Sequence, residues 1–245
     1  ILPGITNRIL SRFADRVYVS FEKTRSLLTG TKTCVTGNPV RREFIHNAES
    51  RWEKGGKSDS RSPFTVMIVG GSQGAHSINT AVMDAVAGLR NREGYFFIHQ
   101  TGTKDASQVK HAYETAGVAS RVNPFFDDMA AQYRMAELVI CRAGATTIAE
   151  ITALGKAVIF IPFPHAADNH QVMNARSLSD KGAARMIEEK DLTGDRLCQM
   201  IEFYASNREV LSRMETLSGE LGHPGAAADI VNDCYRLIDG PVDLQ

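Results

Sequence analysis

Cysteine is sparse and scattered in this sequence. Cys34, Cys141, Cys198 and Cys234 form no CxxC pair, which argues against structural zinc and fits free thiols in a reducing compartment, the cytosol by default. Net charge is absent: Lys+Arg and Asp+Glu both number 28. No overall field therefore draws the chain to nucleic acid or anionic lipid, and only local patches remain for such partners. No apolar run approaches the roughly 20 residues that a membrane-spanning helix needs, and the start carries no signal-peptide pattern. The chain opens on Ile1 rather than Met, as a fragment would.

Several nucleotide signatures are missing as well. Gly70-Gly71-Ser72-Gln73-Gly74-Ala75 lacks the Gly-Lys-Ser/Thr of a P-loop and does not match G-x-G-x-x-G. A dinucleotide fold places an acidic residue near the end of its second strand, where Tyr95-Phe96-Phe97-Ile98-His99-Gln100-Thr101 has none, so an NAD enzyme is disfavoured. No Asp-x-Asp or histidine cluster demands a metal, and Asp127 and Asp128, adjacent on an extended segment, point to opposite sides.

What is present is the composition of a soluble globular protein, 43% hydrophobic and 23% charged over 245 residues, enough for one or two ordinary cores. Apolar strands near 64, 95, 121, 138 and 157 alternate with helices. This is the βαβ rhythm of an α/β, Rossmann-like, doubly wound parallel sheet with helices on both faces. Ahead of it, helices over 7–14 and 22–28 and strands over 16–20 and 33–36 are too few for a core and read as the tail of a sheet whose earlier strands are missing. Residues 47–62 are small and polar, with Trp52 the one large apolar anchor, and read as a linker. Beyond 171 come a helix, a short strand and further helices. Gly222-His223-Pro224-Gly225 interrupts these before a closing amphipathic helix over 226–238, with Ile230, Cys234 and Leu237 or Ile238 on its apolar face.

The stretch from Val139 to Gln171 is the one the rest serves. A strand breaks into Arg142-Ala143-Gly144-Ala145-Thr146-Thr147, and Ile148, Ile151 and Leu154 then recur at helical spacing until Gly155. In a parallel sheet this turn lies at the carboxyl end of a strand, where the helix points its unpaired N–H groups and positive dipole end into the ligand crevice. An anion there gains up to about 2 kcal/mol from the dipole, so other groups must supply most of the affinity and the specificity. Glu150 has two readings: it accepts hydrogen bonds from a pair of ligand hydroxyls such as those of a ribose, or it closes a capping box with Thr147. Spacing does not choose between them. The glycines of the 70–75 turn let backbone approach a phosphate and Ser72 adds a donor, although a plain strand-to-helix turn uses glycine too. Arg41 follows the fixed bend at Asn38-Pro39 as a phosphate donor or a solvated arginine. His76, His99, His111, His165 and His223 are scattered and read as surface or packed imidazoles, with His165, beside the 162–175 segment, the one to test.

In this order, GNPVR (37–41), GGSQGA (70–75), FFDDMAAQY (125–133), CRAGATTIAE (141–150) and PFPHAADNHQVMNA (162–175) resemble the peptidoglycan N-acetylglucosaminyltransferases of the MurG type over nearly the whole chain. The resemblance implies a GT-B fold whose C-terminal domain binds UDP-GlcNAc and whose N-terminal domain binds the acceptor at the membrane. It implies GlcNAc transfer to the undecaprenyl-linked lipid I to form lipid II, with peripheral association on the cytoplasmic face of the inner membrane and no cofactor. It divides the chain into 1–41, the end of the acceptor domain; 42–62, a linker; 63–222, the donor-binding domain; and 223–245, a helix returning to the N-terminal domain. The family's first glycine-rich loops, its proposed base histidine and its membrane-facing patch would lie upstream of Ile1, so no catalytic residue is expected here.

Carried over residue by residue, the resemblance sets Arg41 and Ser72 near the diphosphate and the backbone of Phe126 against the uracil edge. Ala145, Thr146 and Thr147 would give N–H groups to the phosphates, with Ile148 and Ala149 in the same binding segment. Glu150 would hold the ribose hydroxyls and Gln171 the GlcNAc hydroxyls. The family often carries an aliphatic residue where Phe126 stands, and His170 replaces a polar amide of some relatives. Amides at two helix starts, with Arg41, would stabilise the departing diphosphate without a metal. A donor-binding subunit with a separate membrane partner, and a related UDP-sugar transferase with another lipid acceptor, stay open beside this reading.

Overall fold

In a computed structural model, which describes residues 3–28, 32–45, 62–71, 74–166 and 169–239, the chain builds two parallel sheets. The larger has β3 (Phe64–Val69), β4 (Tyr95–Gln100), β5 (Ala119–Asn123), β6 (Leu138–Cys141), β7 (Ala157–Phe160) and β8 (Arg185–Met186) in the order β5-β4-β3-β6-β7-β8. The smaller pairs β1 (Val17–Val19) with β2 (Thr33–Val35), Tyr18 opposite Cys34. The expected Rossmann-like doubly wound sheet is therefore present. Trp52 and most of the expected linker lie outside the described residues.

The continuous apolar runs of β3, β6 and β7 follow from burial on both sheet faces, where successive side chains point opposite ways. Val66, Ile68, Ile140 and Ile159 pack under the helices His76–Gly88, Ala106–Ala116, Gly194–Ser206 and Arg208–Glu220 through Val82, Val109, Ile201 and Leu211. Met67, Val69, Val139, Val158 and Phe160 pack on the other face against Met129, Tyr133, Ile148, Ile151 and Leu178, from the helices Met129–Met135, Ala145–Ala153 and His170–Ser179. Each such side chain fully buried contributes about 1.5–3 kcal/mol. Phe44 is fully buried in this second layer, edge-on to Tyr133 at 5.7 Å, so the chain just after Arg41 is anchored to the larger domain.

The closing helix Ala226–Asp239 reaches back to the small sheet. Tyr18 donates its hydroxyl to Asp233 at 3.0 Å, and Arg16 pairs with the same carboxylate at 2.9 Å. Ile238, one of the residues assigned to its apolar face, is 78% exposed, and Cys234 instead sits by the Tyr18 hydroxyl at 3.5 Å.

Candidate functional site

Strand order reverses between β3 and β6: from β3 the chain steps to β4 and β5, then returns to β6 and steps the other way to β7 and β8. At such a point the loops leaving adjacent strands part and open a crevice at the carboxyl ends. Val69 lies opposite Cys141, so β3 and β6 end at one level and two helix starts flank the crevice.

On the β6 side the helix Ala145–Ala153 starts from Gly144, an extended N-cap with no side-chain capping bond. Its first bond runs from the Ile148 N–H to the Gly144 carbonyl at 2.9 Å. The N–H groups of Ala145, Thr146 and Thr147 therefore have no acceptor within the helix and are available to an anion. The capping-box reading is overturned: Thr147 is the third helical residue, not the cap, and Glu150 turns to Arg41 instead. Ile148 is buried in the core and Ala149 is half-buried, so a ligand meets the backbone of this segment rather than its apolar side chains.

Arg41 donates to Glu150 Oε1 at 3.4 Å and to Glu43 at 3.0 Å, with its guanidinium 4.8 Å from the centre of the Phe44 ring. The anchoring of Phe44 thus sets the arginine against the carboxylate. The Glu150 side chain is only 12% exposed; burial pushes its pKa above the usual 4.5, and the Arg41 charge pulls it part of the way back. Two residues assigned to adjoining parts of one ligand, ribose and diphosphate, are in contact.

On the β3 side the Gly70 N–H donates to the Gln100 carbonyl at 3.1 Å, and Gly71 and Gly74 hold φ of +78° and +76°. These are left-handed conformations natural to glycine. A Cβ at Gly74 would overlap the Thr101 carbonyl oxygen. The helix His76–Gly88 also starts without a side-chain cap. Ser72 lies outside the described residues. Behind this turn, Asn79 donates to the Thr101 carbonyl at 2.9 Å and to Asp105 at 2.7 Å, so its Oδ1 can only accept, from His99 Nε2–H at 3.0 Å. His99 Nδ1 then accepts from the Tyr113 hydroxyl at 3.2 Å, and burial pushes the imidazole pKa down to about 3, leaving it neutral. His99 is a packed histidine, as expected, with a structural duty. His76, His111, His165 and His223 are exposed.

Phe126 is buried while Phe125 is 56% exposed, and the Phe126 N–H is already donated to Gln100 Oε1 at 3.2 Å. Of the backbone pair assigned to the base edge, the carbonyl is left for a ligand. Gln171 is half-buried in the first turn of the helix His170–Ser179; its Oε1 accepts from the Phe163 N–H at 3.0 Å, which leaves its amide N–H groups as donors. Asn169, the residue before that helix, holds φ of +53°, a conformation asparagine tolerates.

Sequence reasoning gave no role to Arg142. Its guanidinium donates to the Ile161 and Pro162 carbonyls at 3.0 and 3.2 Å and to Ser77 at 3.0 Å, pairs with Glu189, and lies 5.4 Å from the centre of the Phe163 ring. One side chain so ties the ends of β6 and β7 to the helix after β3. Gln100 and Asn79 likewise have no role in the sequence reading. Gln100 carried a signal, a polar residue closing an otherwise apolar strand, whereas Asn79 lies within the helix His76–Gly88. A cavity of about 410 Å³ opens on the opposite side of the Ala145–Ala153 helix, lined by Ala145, Ala149, Phe21, Lys23, Asn38 and Lys181; Glu150 does not line it.

Among the described residues no three His, Cys, Asp or Glu side chains converge as a metal site would require, and Asp128 is committed to the Ala131 N–H at 2.8 Å as the cap of the helix Met129–Met135. No helix among the described residues is long and apolar enough to cross a membrane.

The chain is 47% identical over 97% of its length to the UDP-N-acetylglucosamine--N-acetylmuramyl-(pentapeptide) pyrophosphoryl-undecaprenol N-acetylglucosamine transferase of Syntrophus aciditrophicus, and 41% identical over 97% to the protein of that name from Myxococcus xanthus. It spans 64% and 61% of the lengths of those two proteins. Among solved structures, Acinetobacter baumannii MurG superposes with a TM-score of 0.79 at 31% identity, over 95% of this chain and 64% of that one. The UDP-GlcNAc 2-epimerase of Neisseria meningitidis superposes with a TM-score of 0.64 at 12% identity, over 94% of this chain and 63% of its own, a likeness of fold alone. Residues 65–230 match the family model of the glycosyltransferase family 28 C-terminal domain. As that match takes in well over half of the 245 residues, the chain belongs to glycosyltransferase family 28 through this domain.

Proposed function

We propose that this chain carries the donor-binding half of an inverting transferase that moves GlcNAc from UDP-GlcNAc to lipid I, making lipid II at the cytoplasmic face of the inner membrane. The observation that carries the reading is Glu150: a largely buried carboxylate, free of capping duty, one turn behind three unpaired N–H groups at the switch point of the sheet. Hydroxyls of a ribose would replace Arg41 on that carboxylate, and the released guanidinium would turn to the diphosphate next to it. The names of the relatives 47% and 41% identical to this chain support the donor and the acceptor.

In the reaction, the acceptor hydroxyl oxygen bonds to the anomeric carbon as the bond to the diphosphate oxygen breaks, and the negative charge that develops there is taken by the Ala145, Thr146 and Thr147 amides, by Ser72 and by Arg41. Gln171, with amide donors to spare, reads the GlcNAc hydroxyls, and the Phe126 carbonyl accepts from the uracil N3–H. The acceptor's proton is assigned to no residue of this chain. Residues 63–222 form the donor-binding unit, with 223–245 returning to residues 1–41 across the Tyr18–Asp233 contact.

Thermal unfolding with UDP-GlcNAc, UDP-glucose, UDP, ADP and NAD tests this, because a ligand at 100 times its dissociation constant adds about 2.7 kcal/mol of stability. The uridine ligands are expected to raise the midpoint, UDP-GlcNAc most. A larger shift with UDP-glucose would move the reading to a transferase of another donor, and a shift with ADP or NAD alone would overturn it.

A further inference from the structure

Gln100 closes β4 and is 3% exposed, and both ends of its buried carboxamide are bonded to loops that follow other strands. Its Nε2 donates to the Gly71 carbonyl at 3.2 Å, and its Oε1 accepts from the Phe126 N–H at 3.2 Å. A backbone carbonyl can only accept and a backbone N–H can only donate, so the amide has one orientation and both its ends are committed. The two groups it joins belong to different loops. Gly71 follows β3 and Phe126 follows β5, with the whole of β4 between them in the sheet. The Gln100 main chain also accepts from the Gly70 N–H at 3.1 Å, so the glycine turn is gripped by this one residue through both backbone and side chain.

We infer that Gln100 is a positioning residue that fixes the spacing between the Gly71 turn and the Phe126 backbone, so that the diphosphate and nucleobase subsites act as one. The inference rests on the donor-site reading above and deepens it. A ligand that spans both loops gains from their being held at a fixed separation, since ordering them is not then charged against binding. A ligand that meets one loop alone gains little. Gln100 itself need not touch the nucleotide.

The substitutions Gln100→Glu and Gln100→Met separate these cases by calorimetric titration with UDP and with uridine. Gln100→Glu keeps the acceptor for the Phe126 N–H and sets a carboxylate oxygen against the Gly71 carbonyl. Uridine affinity is expected to stay within about twofold while UDP affinity falls about tenfold, as the preorganisation argument requires. Gln100→Met removes both bonds without burying a charge and covers the case in which the glutamate variant does not fold; UDP is again expected to lose several times more affinity than uridine. Equal losses for the two ligands, or no loss for either, would overturn the coupling while leaving the donor-site reading in place. Failure of the unsubstituted chain to bind UDP would instead remove the donor-site reading, and the coupling with it.

Discussion

On the β3 side of the crevice the chain is held by buried neutral groups, Asn79, His99, Tyr113 and Gln100, each satisfied by partners it cannot exchange. On the β6 side it is held by charged groups nearer to water: Arg41 is half exposed and shares its guanidinium between Glu150 and Glu43. A buried neutral network has one arrangement, because breaking any bond in it strands a polar atom away from water at about 1–3 kcal/mol. A partly solvated ion pair contributes about 0–1 kcal/mol and is easily replaced. The first kind of construction suits a frame, the second a place where ligand hydroxyls displace a side chain. Substitutions in the Asn79–His99–Tyr113 network should therefore act on stability and those on the β6 side on binding, with Gln100 the one member of the frame that also sets the spacing of two ligand loops.

The sharpest test of the frame is Gly74→Ala. It asks a residue with a Cβ to hold φ of +76° and drives that Cβ into the Thr101 carbonyl oxygen, a backbone atom with no rotamer to yield. The left-handed conformation alone costs about 1–2 kcal/mol, and with the overlap the loss should be about 3 kcal/mol or more in denaturant-induced unfolding. A variant as stable as the parent would mean that the turn is not rigid.

Acid should loosen the same frame. His99 ordinarily titrates at 6.5, and burial pushes it down to about 3, so the folded protein keeps the ring neutral while the unfolded chain takes up a proton. Its contribution is thus fully present above pH 6.5 and is lost as pH falls from there towards 3; between about pH 7 and about pH 5 the loss is about 2 kcal/mol. Denaturant midpoints across that interval measure it. A flat profile would argue that the imidazole is not held neutral.

For the exchangeable side, Glu150→Gln should lower UDP affinity about tenfold, the usual worth of charge-assisted hydrogen bonds, with no loss of thermal stability. The sign follows from the raised pKa. Burial penalises the ionised carboxylate more than Arg41 repays, so a neutral amide of the same shape relieves the folded state at neutral pH. In the unsubstituted chain UDP affinity should begin to fall, on acidification, at a pH above the ordinary 4.5, as protonation removes the acceptor. A variant that loses stability and keeps its UDP affinity would return Glu150 to a structural role.

Much of this arrangement was legible in the residues. The apolar runs of β3, β6 and β7 gave the sheet because burial on both faces leaves no alternation to confuse, and Gly155 ended its helix where φ of +57° suits glycine. The capping box failed because a helix start depends on backbone geometry as well as side chains: Gly144 caps without a side chain, which moves the first turn two residues ahead of Thr147. Gln100 and Arg142 were missed for a different reason. Each acts across elements far apart in sequence, Gln100 between Gly71 and Phe126 and Arg142 between Ser77 and Pro162, and such pairings exist only once the strands are in order.

Gln171 stands between the two kinds of construction and carries the smallest expected effect. Its Oε1 is fixed by the Phe163 N–H, as in the frame, while its amide N–H groups are free to meet a ligand, as on the exchangeable side. Phe163 is steadied in turn by the Arg142 guanidinium, itself bound to the Ile161 and Pro162 carbonyls, so the glutamine is aimed by a chain of contacts that begins at β6. If those amide groups read the sugar, Gln171→Ala should weaken UDP-GlcNAc about three- to tenfold, the span of one net hydrogen bond, and leave UDP unchanged in parallel titrations. An equal loss for both ligands would mean that the residue acts only by holding Phe163, and would place Gln171 with the frame.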